Sequence, residues 1–579
     1  MTAPFGSPQS PWWEGAAIYQ VYVRSWQDSN GDGIGDLAGV TERLDYLSWL
    51  GIEAIWLSPI HPSPNCDFGY DVSDYYGVHP DLGTEKDLAT LVEKAAERGI
   101  VVILDLVPNH TSDAHPWFVE ALGDPDSPKR DFYVWADPKE GGGPPNNWLD
   151  ETGSCAWTLD PASGQYYLHN FLPSQPDLNW WNPVVQKEFE AILAYWFDKG
   201  IGGFRIDVAH GLVKDAELRD NPPAEPGDHP LIVQKGLRPV YNVNRPEVHP
   251  LYRRWRSIAD SYVPPRLLLG ETWVLSPEEL APYYGQGDEL HLGFNFSLLF
   301  SPFSPLALAG IVERTLASLP EGAHAVWTGS NHDVSRMASR WAGGEPTKAR
   351  LALGIICLLP GTVVLYYGDE LGMVDVDLDP SDLVDDMSRK NPASSRDRSR
   401  TPMQWSAGLG CGFTTDGVRS WLPMGDCATT NVEQQRQDRS SLLWMCRDLL
   451  ELRRSRLGSR TYRQILLTEQ LWCWSAGQDV VVVANFSRDE IALDPLVAEL
   501  IWTSWQTRGA GVGVSDHSLA EAGHEGGGPE STLAVPGWGL AVLRCDEAML
   551  VEALGGEGRG HFVADGESPE GMRGVLAGG

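Results

Sequence analysis

Short apolar runs alternate with amphipathic stretches over roughly the first 450 residues. The amphipathic stretches repeat apolar residues at three- and four-residue spacing, which predicts helices such as 36–50, 85–98, 183–199 and 347–358. Short β-rich runs between helices are typical of βα units around a parallel sheet. The runs that predict strands are Ala17–Val23, Ala54–Leu57, Val101–Val107, Gly203–Ile206, Leu267–Gly270, His291–Phe296, Ala325–Thr328 and Val363–Tyr366.

Eight strands with crossover helices predict an α/β fold, a (β/α)₈ TIM barrel built from residues 1–107 and 183–461. The intervening segment 108–182 is too long for a βα loop, so we expect an inserted subdomain after strand three. Beyond it, β-rich runs with Gly-rich spacers predict a C-terminal all-β sandwich domain over 462–550. The Gly-rich, polar segment 551–579 is expected to be a flexible tail.

The chain of 579 residues has a formal charge of −35, which excludes nucleic acid as a partner because phosphate binding needs a basic surface. No basic and apolar signal segment is visible at the N-terminus, and the most apolar stretch, 351–367, is broken by Gly and Pro. We therefore expect a soluble cytoplasmic protein without a membrane span, of open oligomeric state. The eight cysteines show no CxxC pair, so we expect most of them to be reduced and buried.

Four polar segments, DLVPNH, GFRID, LLGE and SNHD, follow predicted strands, and each ends in an ionisable residue. Barrels of this type place their chemistry at the C-terminal ends of the strands. A single such residue is more often a helix cap or part of a buried ion pair. Together they predict one constellation at the barrel mouth, made of Asp207, Glu271, Asp333, Arg205, His110 and His332.

Two carboxyl groups facing one bond are what glycoside hydrolysis requires, one ionised and one protonated. Arg205 lies two residues before Asp207 on the same strand, so both side chains point to the same face. We expect this cation to keep Asp207 ionised, which makes Asp207 the candidate nucleophile. Glu271 is the candidate proton donor.

The four segments, in this order, resemble glycoside hydrolase family 13, the α-amylase superfamily, and its exo-acting α-glucosidase and oligo-1,6-glucosidase branch. The resemblance covers about residues 12–545. It implies that Asp207 is the nucleophile, Glu271 the general acid/base, and Asp333 a third carboxylate that grips sugar hydroxyls. It also implies a retaining reaction, with the two catalytic carboxyls about 5 to 5.5 Å apart. The side chains implied to line the subsite of the released glucose are His110, His332 and Arg205.

Two further segments resemble that branch. CDFGYD implies that Asp67 binds the terminal sugar and that Tyr70 stacks on its ring. SRDRSRTPMQW implies an arginine partner for Asp67, best matched by Arg400, although a solvated basic loop is the alternative. Phe171 resembles an aromatic wall supplied by the inserted subdomain; a core residue of that subdomain is the alternative.

The segment DSNGDGIGD places oxygen ligands at alternate positions with a Gly at the sixth, as a turning calcium loop requires. An Asp/Gly turn is the alternative interpretation, and an EF-hand is excluded because position 12 is Gly39. The family resemblance implies a structural Ca²⁺ or Mg²⁺ here and no organic cofactor. The expected ligands are Asp28, Asn30, Asp32, the Ile34 carbonyl and Asp36.

The sequence contains 24 Trp residues, and flat rings suit the apolar faces of sugars. Trp273, together with Trp180 or Trp181, is expected in the cleft, and most of the others in the core. The predicted function is that of an exo-acting retaining α-glucosidase, which hydrolyses terminal non-reducing α-linked glucose from short oligosaccharides or α-glucosides by double displacement.

One alternative is a trehalose synthase-like or other glucosyl-transferring enzyme, because DSNGDGIGDLAG and NHTSDAHPWF resemble that group as well. The segments DFGYDV and LHLGFNF favour hydrolysis. A second alternative is an inactive carbohydrate-binding relative, which the presence of all three acids disfavours. Val208 is associated in this branch with α-1,6 cleavage, but the following 209–212 departs from the pattern, so α-1,4 and α-1,6 linkages both stay open.

Overall fold

The computed structural model describes residues 11–392, 395–457, 462–477, 480–493, 498–504 and 533–545, together with 550 and 554. The strands, numbered in chain order, are β1 Ala17–Val21, β2 Ala54–Leu57, β3 Val101–Leu106, β4 Trp135–Ala136, β5 Trp157–Leu159, β6 Tyr166–Leu168, β7 Gly203–Ile206, β8 Leu267–Gly270, β9 Leu292–Gly293, β10 Val326–Trp327, β11 Thr362–Tyr366, β12 Arg463–Leu467, β13 Leu471–Gly477, β14 Val480–Asn485, β15 Ile491–Leu493, β16 Ala498–Thr503, β17 Leu533–Val535 and β18 Leu540–Cys545.

The helices alternate with the barrel strands and cover them on the outside. They are α1 Leu37–Glu42, α2 Leu44–Leu50, α3 Glu85–Glu97, α4 Pro116–Gly123, α5 Pro183–Asp198, α6 Pro230–Lys235, α7 His249–Asp260, α8 Pro277–Leu280, α9 Phe296–Leu299, α10 Pro305–Ser318, α11 Met337–Arg340, α12 Pro346–Leu358, α13 Asp386–Lys390, α14 Val432–Gln437 and α15 Leu442–Arg456.

The predicted TIM barrel is confirmed. One eight-stranded parallel sheet runs in the order β10-β11-β1-β2-β3-β7-β8-β9. A parallel bridge between Phe294 and Val326 joins its two edges and closes the barrel. Alternate residues of the strands fill the interior, among them Ile18, Trp56 and Ile103. The sixth and seventh barrel strands, β9 and β10, are only two residues long, shorter than their apolar runs predict.

Between β3 and α5 the chain forms a three-stranded antiparallel sheet in the order β4-β6-β5. Trp148, Trp157 and Leu168 form a small separate core there. Bridges from His110 to Asp177 and from Tyr133 to Leu178 tie the two ends of the segment together. The inserted segment therefore begins and ends at the rim of the barrel beside the C-terminal end of β3.

The C-terminal part is all-β, as predicted, with a five-stranded antiparallel sheet in the order β12-β13-β14-β18-β16 and a two-stranded sheet of β15 and β17. Leu540 lies against Gly354 of α12, so one face of the larger sheet packs on the barrel helices. The expected tail, 551–579, lies outside the described residues except for position 554. In the described parts of the chain every helix falls short of the length and apolar character of a membrane span.

The expectation for the cysteines is wrong at two positions, because Cys411 and Cys427 form a disulfide across a loop, 16 residues apart in sequence. Their spacing carries no CxxC signal, so the pairing depends on a fold that brings the two Cα atoms to 5.7 Å. Cys357, Cys446 and Cys473 are buried thiols, as expected.

Candidate active site

The three predicted catalytic carboxylates meet at one end of the barrel. Asp207 directly follows β7 and Glu271 directly follows β8, while Asp333 lies beyond the end of β10. Asp207 and Glu271 are each 5% exposed, so both are almost withdrawn from solvent. Parallel strands deliver their C-terminal residues to the same rim, which explains why acids far apart in sequence converge.

Arg205 holds the first two carboxylates together. Its Nη1 donates to Asp207 Oδ1 at 2.7 Å and to Asp105 Oδ1 at 2.9 Å. Its Nη2 lies 2.7 Å from Glu271 Oε1. Asp105 stands directly opposite Arg205 in the register of β3 and β7, so the sheet itself sets this contact. Three buried carboxyl groups therefore face one guanidinium.

The expectation that Arg205 keeps Asp207 ionised is wrong for the free site. Burial raises the pKa of Asp207 well above its usual range, and Glu271 and Asp105 raise it further, against the opposing effect of Arg205. Burial also raises the pKa of Asp105 to about 7. Because Arg205 serves both Asp207 and Asp105, and each of these acids is close to Glu271, the ionisation of Asp207 and Asp105 is coupled.

The backbone between strand and loop also helps to hold Glu271. Val208 N–H donates to Glu271 Oε2 at 3.0 Å. Val208 adopts a φ of 45°, a left-handed conformation that β-branched residues rarely accept. Such strain persists where the surrounding structure imposes it, and it is frequent at active sites. The turn after Asp207 is therefore shaped to point an N–H group at Glu271.

Asp333 is held by two arginines from a distant part of the chain and by the adjacent His332. Its Oδ1 lies 3.0 Å from Arg396 Nη1 and 3.1 Å from Arg400 Nη2, and its Oδ2 lies 3.2 Å from His332 Nε2. Burial alone raises the pKa of Asp333, but these three neighbours outweigh it and hold the pKa well below its usual range. Asp333 is therefore an anion at every working pH.

The assignment of Arg400 as the partner of Asp67 is wrong. Arg396 Nη2 lies 2.7 Å from Asp67 Oδ1, whereas Arg400 contacts Asp333 and donates through Nε to the His332 carbonyl oxygen at 2.7 Å. Both arginines lie in or next to the 3₁₀ turn Arg396–Ser399, and the turn sends Arg396 toward Asp67. Arg400 is fully buried, which excludes a solvated basic loop at that position.

The Tyr70 ring lies parallel to the His332 ring, with centroids 5.1 Å apart and planes 4° apart. Its hydroxyl donates to Asp105 Oδ2 at 2.9 Å, and Trp56 Nε1 donates to the same oxygen at 3.1 Å. Burial lowers the pKa of His332 well below its usual value, so the ring is neutral. The rings of Trp56 and Tyr70 thus pack against the guanidinium of Arg205.

His110 and Phe171, both from the inserted segment, lie next to each other at the site. Their ring centroids are 5.2 Å apart, and Phe171 is half-buried rather than enclosed in the core of that segment. His110 Nε2 is 2.9 Å from the Tyr70 carbonyl oxygen. Gln175 Nε2 donates to Asp67 Oδ2 at 3.0 Å and lies 3.2 Å from His110 Nε2. The inserted segment therefore contributes directly to the pocket that holds Asp67.

Four polar residues of the site were not predicted. Asp105 stands within DLVPNH, and a carboxylate in a buried strand next to the Arg205 strand is a signal that could have identified it. Gln20 Nε2 lies 2.7 Å from His332 Nδ1. Asp385 Oδ1 lies 2.7 Å from Arg396 Nη2. Gln20, Gln175 and Asp385 carry no sequence signal, because only folding brings them to the site.

The aromatic candidates are divided between core and surface. Trp180 is buried against Phe189 and Trp255, so its expected place in the cleft is wrong. Trp181 is 48% exposed, and its Nε1 donates to the Lys214 carbonyl oxygen. Trp273 is half-buried and stacks on Phe296, with centroids 5.0 Å apart. At least nine of the 24 Trp side chains are fully buried, so the Trp excess mainly reflects packing.

In the loop from Asp28 to Asp36, backbone N–H groups donate hydrogen bonds to the Asp28 carboxylate. Asp28 Oδ1 accepts from the backbone of Asn30 and Gly31, and its Oδ2 accepts from Gly33 N–H and the Thr414 hydroxyl. Oxygen donors of this kind suit Ca²⁺ or Mg²⁺, and ligating carboxylates are usually hydrogen-bonded in addition.

The side chain of Asp36 accepts from Gly39 N–H and caps α1. Within the described residues, however, no three His, Cys, Asp or Glu side chains approach one another closely enough to share a metal ion. The ion, with Asp32 and the Ile34 carbonyl among its ligands, stays a prediction.

Known proteins resemble the chain over most of its length. The family described as "Alpha amylase, catalytic domain" matches residues 20–459. A "Probable alpha-glucosidase" of Rhizobium meliloti (strain 1021) is 40% identical over 469 residues, 78% of this chain and 84% of the relative. An "Oligo-1,6-glucosidase" of Heyndrickxia coagulans is 35% identical over 531 residues, 83% of this chain and 93% of the relative. The crystal structure of an alpha-glucosyl transfer enzyme, XgtA, is 38% identical with a TM-score of 0.82, over 93% of this chain and 100% of that one.

Proposed function

The chain belongs to the α-amylase family of glycoside hydrolases, and from that premise we propose that it is an exo-acting, retaining α-glucosidase. Its substrates are the terminal, non-reducing α-linked glucose units of short oligosaccharides or α-glucosides. The observation that carries the proposal is that Asp207 and Glu271 each lie 2.7 Å from a nitrogen of Arg205. Two carboxyls held by one guanidinium are close enough for the separation of about 5 to 5.5 Å in retaining glycosidases, in which one of them acts as the nucleophile.

In the first step, the Asp207 carboxylate attacks the anomeric carbon while the bond from that carbon to the glycosidic oxygen breaks. Glu271 gives its proton to the departing oxygen, and a covalent glucosyl ester forms on Asp207. Asp333 remains ionised and faces the positive charge that develops on the sugar ring.

In the second step, Glu271 accepts a proton from a water molecule whose oxygen attacks the anomeric carbon from the opposite side. The ester bond breaks, Asp207 leaves as a carboxylate, and glucose departs with its α-configuration retained. Each group ends in its starting protonation state, so the cycle needs no organic cofactor.

The closed end of the pocket supports exo action. Arg396 joins Asp67 and Asp333, and Gln175 holds the second oxygen of Asp67. We expect these contacts to block a longer chain from passing beyond the terminal sugar. We infer that Asp67, Tyr70, His110, Phe171, Arg205, His332 and Arg400 line the subsite for that sugar.

Incubation with p-nitrophenyl α-glucoside tests the proposal, because all the glucose released from it comes from the terminal unit. Proton NMR in the first minutes should show glucose released in the α-form, before mutarotation. Replacement of Asp207 by Asn should abolish cleavage of p-nitrophenyl α-glucoside. Initial release of β-glucose, or full activity of the Asn variant, would contradict the proposed mechanism.

A glucosyl-transferring activity is the second candidate. XgtA, whose whole length matches 93% of this chain, is named a transfer enzyme. Water and a sugar or alcohol compete for the same ester in the second step. Product analysis decides between them: two glucose molecules per maltose consumed support hydrolysis, whereas mostly trehalose, or longer glucosides with one glucose set free per transfer, support transfer. A panel of maltose, isomaltose, kojibiose, nigerose and sucrose then establishes the linkage preference.

We also propose that the protein works in the cytoplasm, on small-molecule substrates and without nucleic acid. The buried thiols Cys357, Cys446 and Cys473 support a reducing compartment, whereas the bond between Cys411 and Cys427 is unusual there. Alkylation followed by mass spectrometry of protein taken directly from cell fractions tests the location. A structural Ca²⁺ or Mg²⁺ at 28–36 is proposed on the ligand spacing alone.

A further inference from the structure

The guanidinium of Arg396 contacts three carboxylates at once. Its Nη2 lies 2.7 Å from Asp67 Oδ1 and 2.7 Å from Asp385 Oδ1, and its Nη1 lies 3.0 Å from Asp333 Oδ1. Asp67 and Asp333 belong to the proposed sugar subsite. Asp385 does not follow a barrel strand but precedes α13.

The chain fixes Asp385 on both sides. It is fully buried and precedes α13, where its Oδ2 accepts from the Ser388 backbone N–H and hydroxyl, each at 2.9 Å. Its own backbone N–H donates to Asp397 Oδ2 at 3.1 Å. A carboxylate held in this way has little freedom to follow a moving partner.

Asp385 also grips Arg396 with both oxygens. Besides the contact of Oδ1 with Nη2, Arg396 Nε donates to Asp385 Oδ2 at 3.3 Å. Two parallel bonds fix the plane of a guanidinium as well as its position. Burial acts against ionisation of Asp385, but Arg396 and Arg400 outweigh it and lower its pKa to about 2. The ion pair between Asp385 and Arg396 is therefore charged at every working pH.

Substrate binding changes the balance around Arg396. In the proposed subsite, sugar hydroxyls would compete with Arg396 for the oxygens of Asp67 and Asp333. Both carboxylates would then partly release Arg396 when glucose binds. Asp385 is inaccessible to the sugar and keeps its hold. Without Asp385, the buried guanidinium of Arg396 would lose part of its charge neutralisation when glucose binds.

We propose that Asp385 is a positioning residue, which holds Arg396 in the orientation that presents Asp67 and Asp333 to the terminal glucose. This inference rests on the proposed function, because it assumes that these two acids bind the sugar. Asp385 itself does not touch the substrate. Its effect must therefore appear in the binding of the terminal glucose and must be independent of the leaving group.

The neighbouring Asp386 is a matched control. It lies one residue further along, its side chain is about half exposed, and among the described residues it forms an ion pair with Arg389 at 3.2 Å. Asp385→Asn and Asp386→Asn change the same atoms on adjacent residues. Only the first removes a charged partner of Arg396.

The experiment compares both variants with the unmodified enzyme on p-nitrophenyl α-glucoside and on maltose, with D-glucose as inhibitor. For Asp385→Asn we expect KM and the Ki of glucose to rise about ten-fold or more, by similar factors on both substrates, with kcat less affected. For Asp386→Asn all three should stay within about two-fold. A structural role alone would lower the melting temperature and the active fraction but leave KM unchanged.

Two further variants keep the test decisive if Asp385→Asn does not fold. Ser388→Ala removes a hydroxyl that supports both Asp385 and the Arg396 backbone N–H, and should raise KM several-fold. Asp385→Glu keeps the charge and should recover part of the affinity. Unchanged KM and Ki in a folded variant would overturn the positioning role, even if the unmodified enzyme cleaves both substrates. Absence of cleavage by the unmodified enzyme would instead overturn the proposed function, while glucose binding measured by calorimetry would still report on Asp385.

Discussion

Asp207 and Glu271 share one cation, since an oxygen of each lies 2.7 Å from a different terminal nitrogen of Arg205. Their ionisation is therefore coupled. The charge of Glu271 raises the pKa of Asp207, in addition to the larger effect of burial. A change at one carboxyl must consequently alter the pH range in which the other is ionised.

Replacement of Glu271 by Gln should lower kcat on maltose about 10²- to 10⁴-fold, because the departing oxygen loses its proton donor. The amide also removes the carboxyl that raises the pKa of Asp207, so this pKa falls and the acid limb of the kcat/KM profile moves to lower pH. The profile should be measured on 2,4-dinitrophenyl α-glucoside, whose leaving group needs little protonation. An acid limb that stays in place would contradict the coupling.

The barrel could be predicted from sequence because it depends on local patterns. Each strand is a short apolar run between helices, and the C-terminal ends of the strands carry acids, so Asp207, Glu271 and Asp333 could be located in advance. Strand ends were less predictable, since β9 and β10 pair over only two residues each.

Contacts between distant loops could not be predicted. Whether Arg396 or Arg400 reaches Asp67 depends on one 3₁₀ turn, and both stand in the same basic stretch. Asp385 and Gln175 reach the site through folding alone. The ionisation of Asp207 was misjudged because sequence adjacency shows Arg205 but not the two other carboxyls that share it.

A double-mutant cycle checks which arginine pairs with Asp67. Asp67→Asn combined with Arg396→Gln should show a coupling of about 1 kcal/mol or more in kcat/KM, because the two side chains are in contact. Asp67→Asn combined with Arg400→Gln should be closer to additive, since Arg400 contacts Asp333 instead. A larger coupling for Arg400 would restore the original assignment.

Glu370 should make stability depend on pH. It is buried, its Oε1 accepts from the hydroxyls of Tyr19 and Tyr46 at 2.7 Å each, and burial raises its pKa from 4.5 to about 7. The folded protein thus holds this proton more tightly than the unfolded chain. The stabilisation is complete below pH 4.5 and is lost as the pH rises through about 7, by at most about 3 kcal/mol.

Glu370→Gln should therefore flatten the fall in melting temperature between pH 5 and pH 8. Buried Asp105 and Asp369 also have raised pKa values, so part of the slope should remain. Glu345, exposed at the start of α12, provides the control, and Glu345→Gln should leave the slope unchanged. Equal slopes for Glu370→Gln and the unmodified protein would contradict a protonated Glu370.

The disulfide between Cys411 and Cys427 should stabilise the loop that covers Asp28. Phe413, next to the bridge, accepts from the Asp28 backbone N–H at 2.9 Å. Replacing both cysteines by Ser should lower the free energy of unfolding by about 3 kcal/mol, the value for a loop of this length, with kcat little changed. Urea unfolding measures the change, and Cys155→Ser, at an exposed thiol, is the control. Titration of eight thiols in protein unfolded without a reductant would contradict the bridge.

Binding of the ion predicted at 28–36 should increase the thermal stability of the protein. If Ca²⁺ or Mg²⁺ binds the folded loop, the melting temperature of chelator-treated protein should rise with ion concentration. At an ion concentration of 100 times Kd, the free energy of unfolding should increase by about 2.7 kcal/mol. Asp32→Asn should abolish this response, because it removes one exposed carboxylate but keeps an oxygen to accept from Ile34 N–H. Without the ion, the variant should be as stable as the unmodified protein. A melting temperature unaffected by millimolar Ca²⁺ and Mg²⁺ would show that the hydrogen bonds around Asp28 support the loop without a metal.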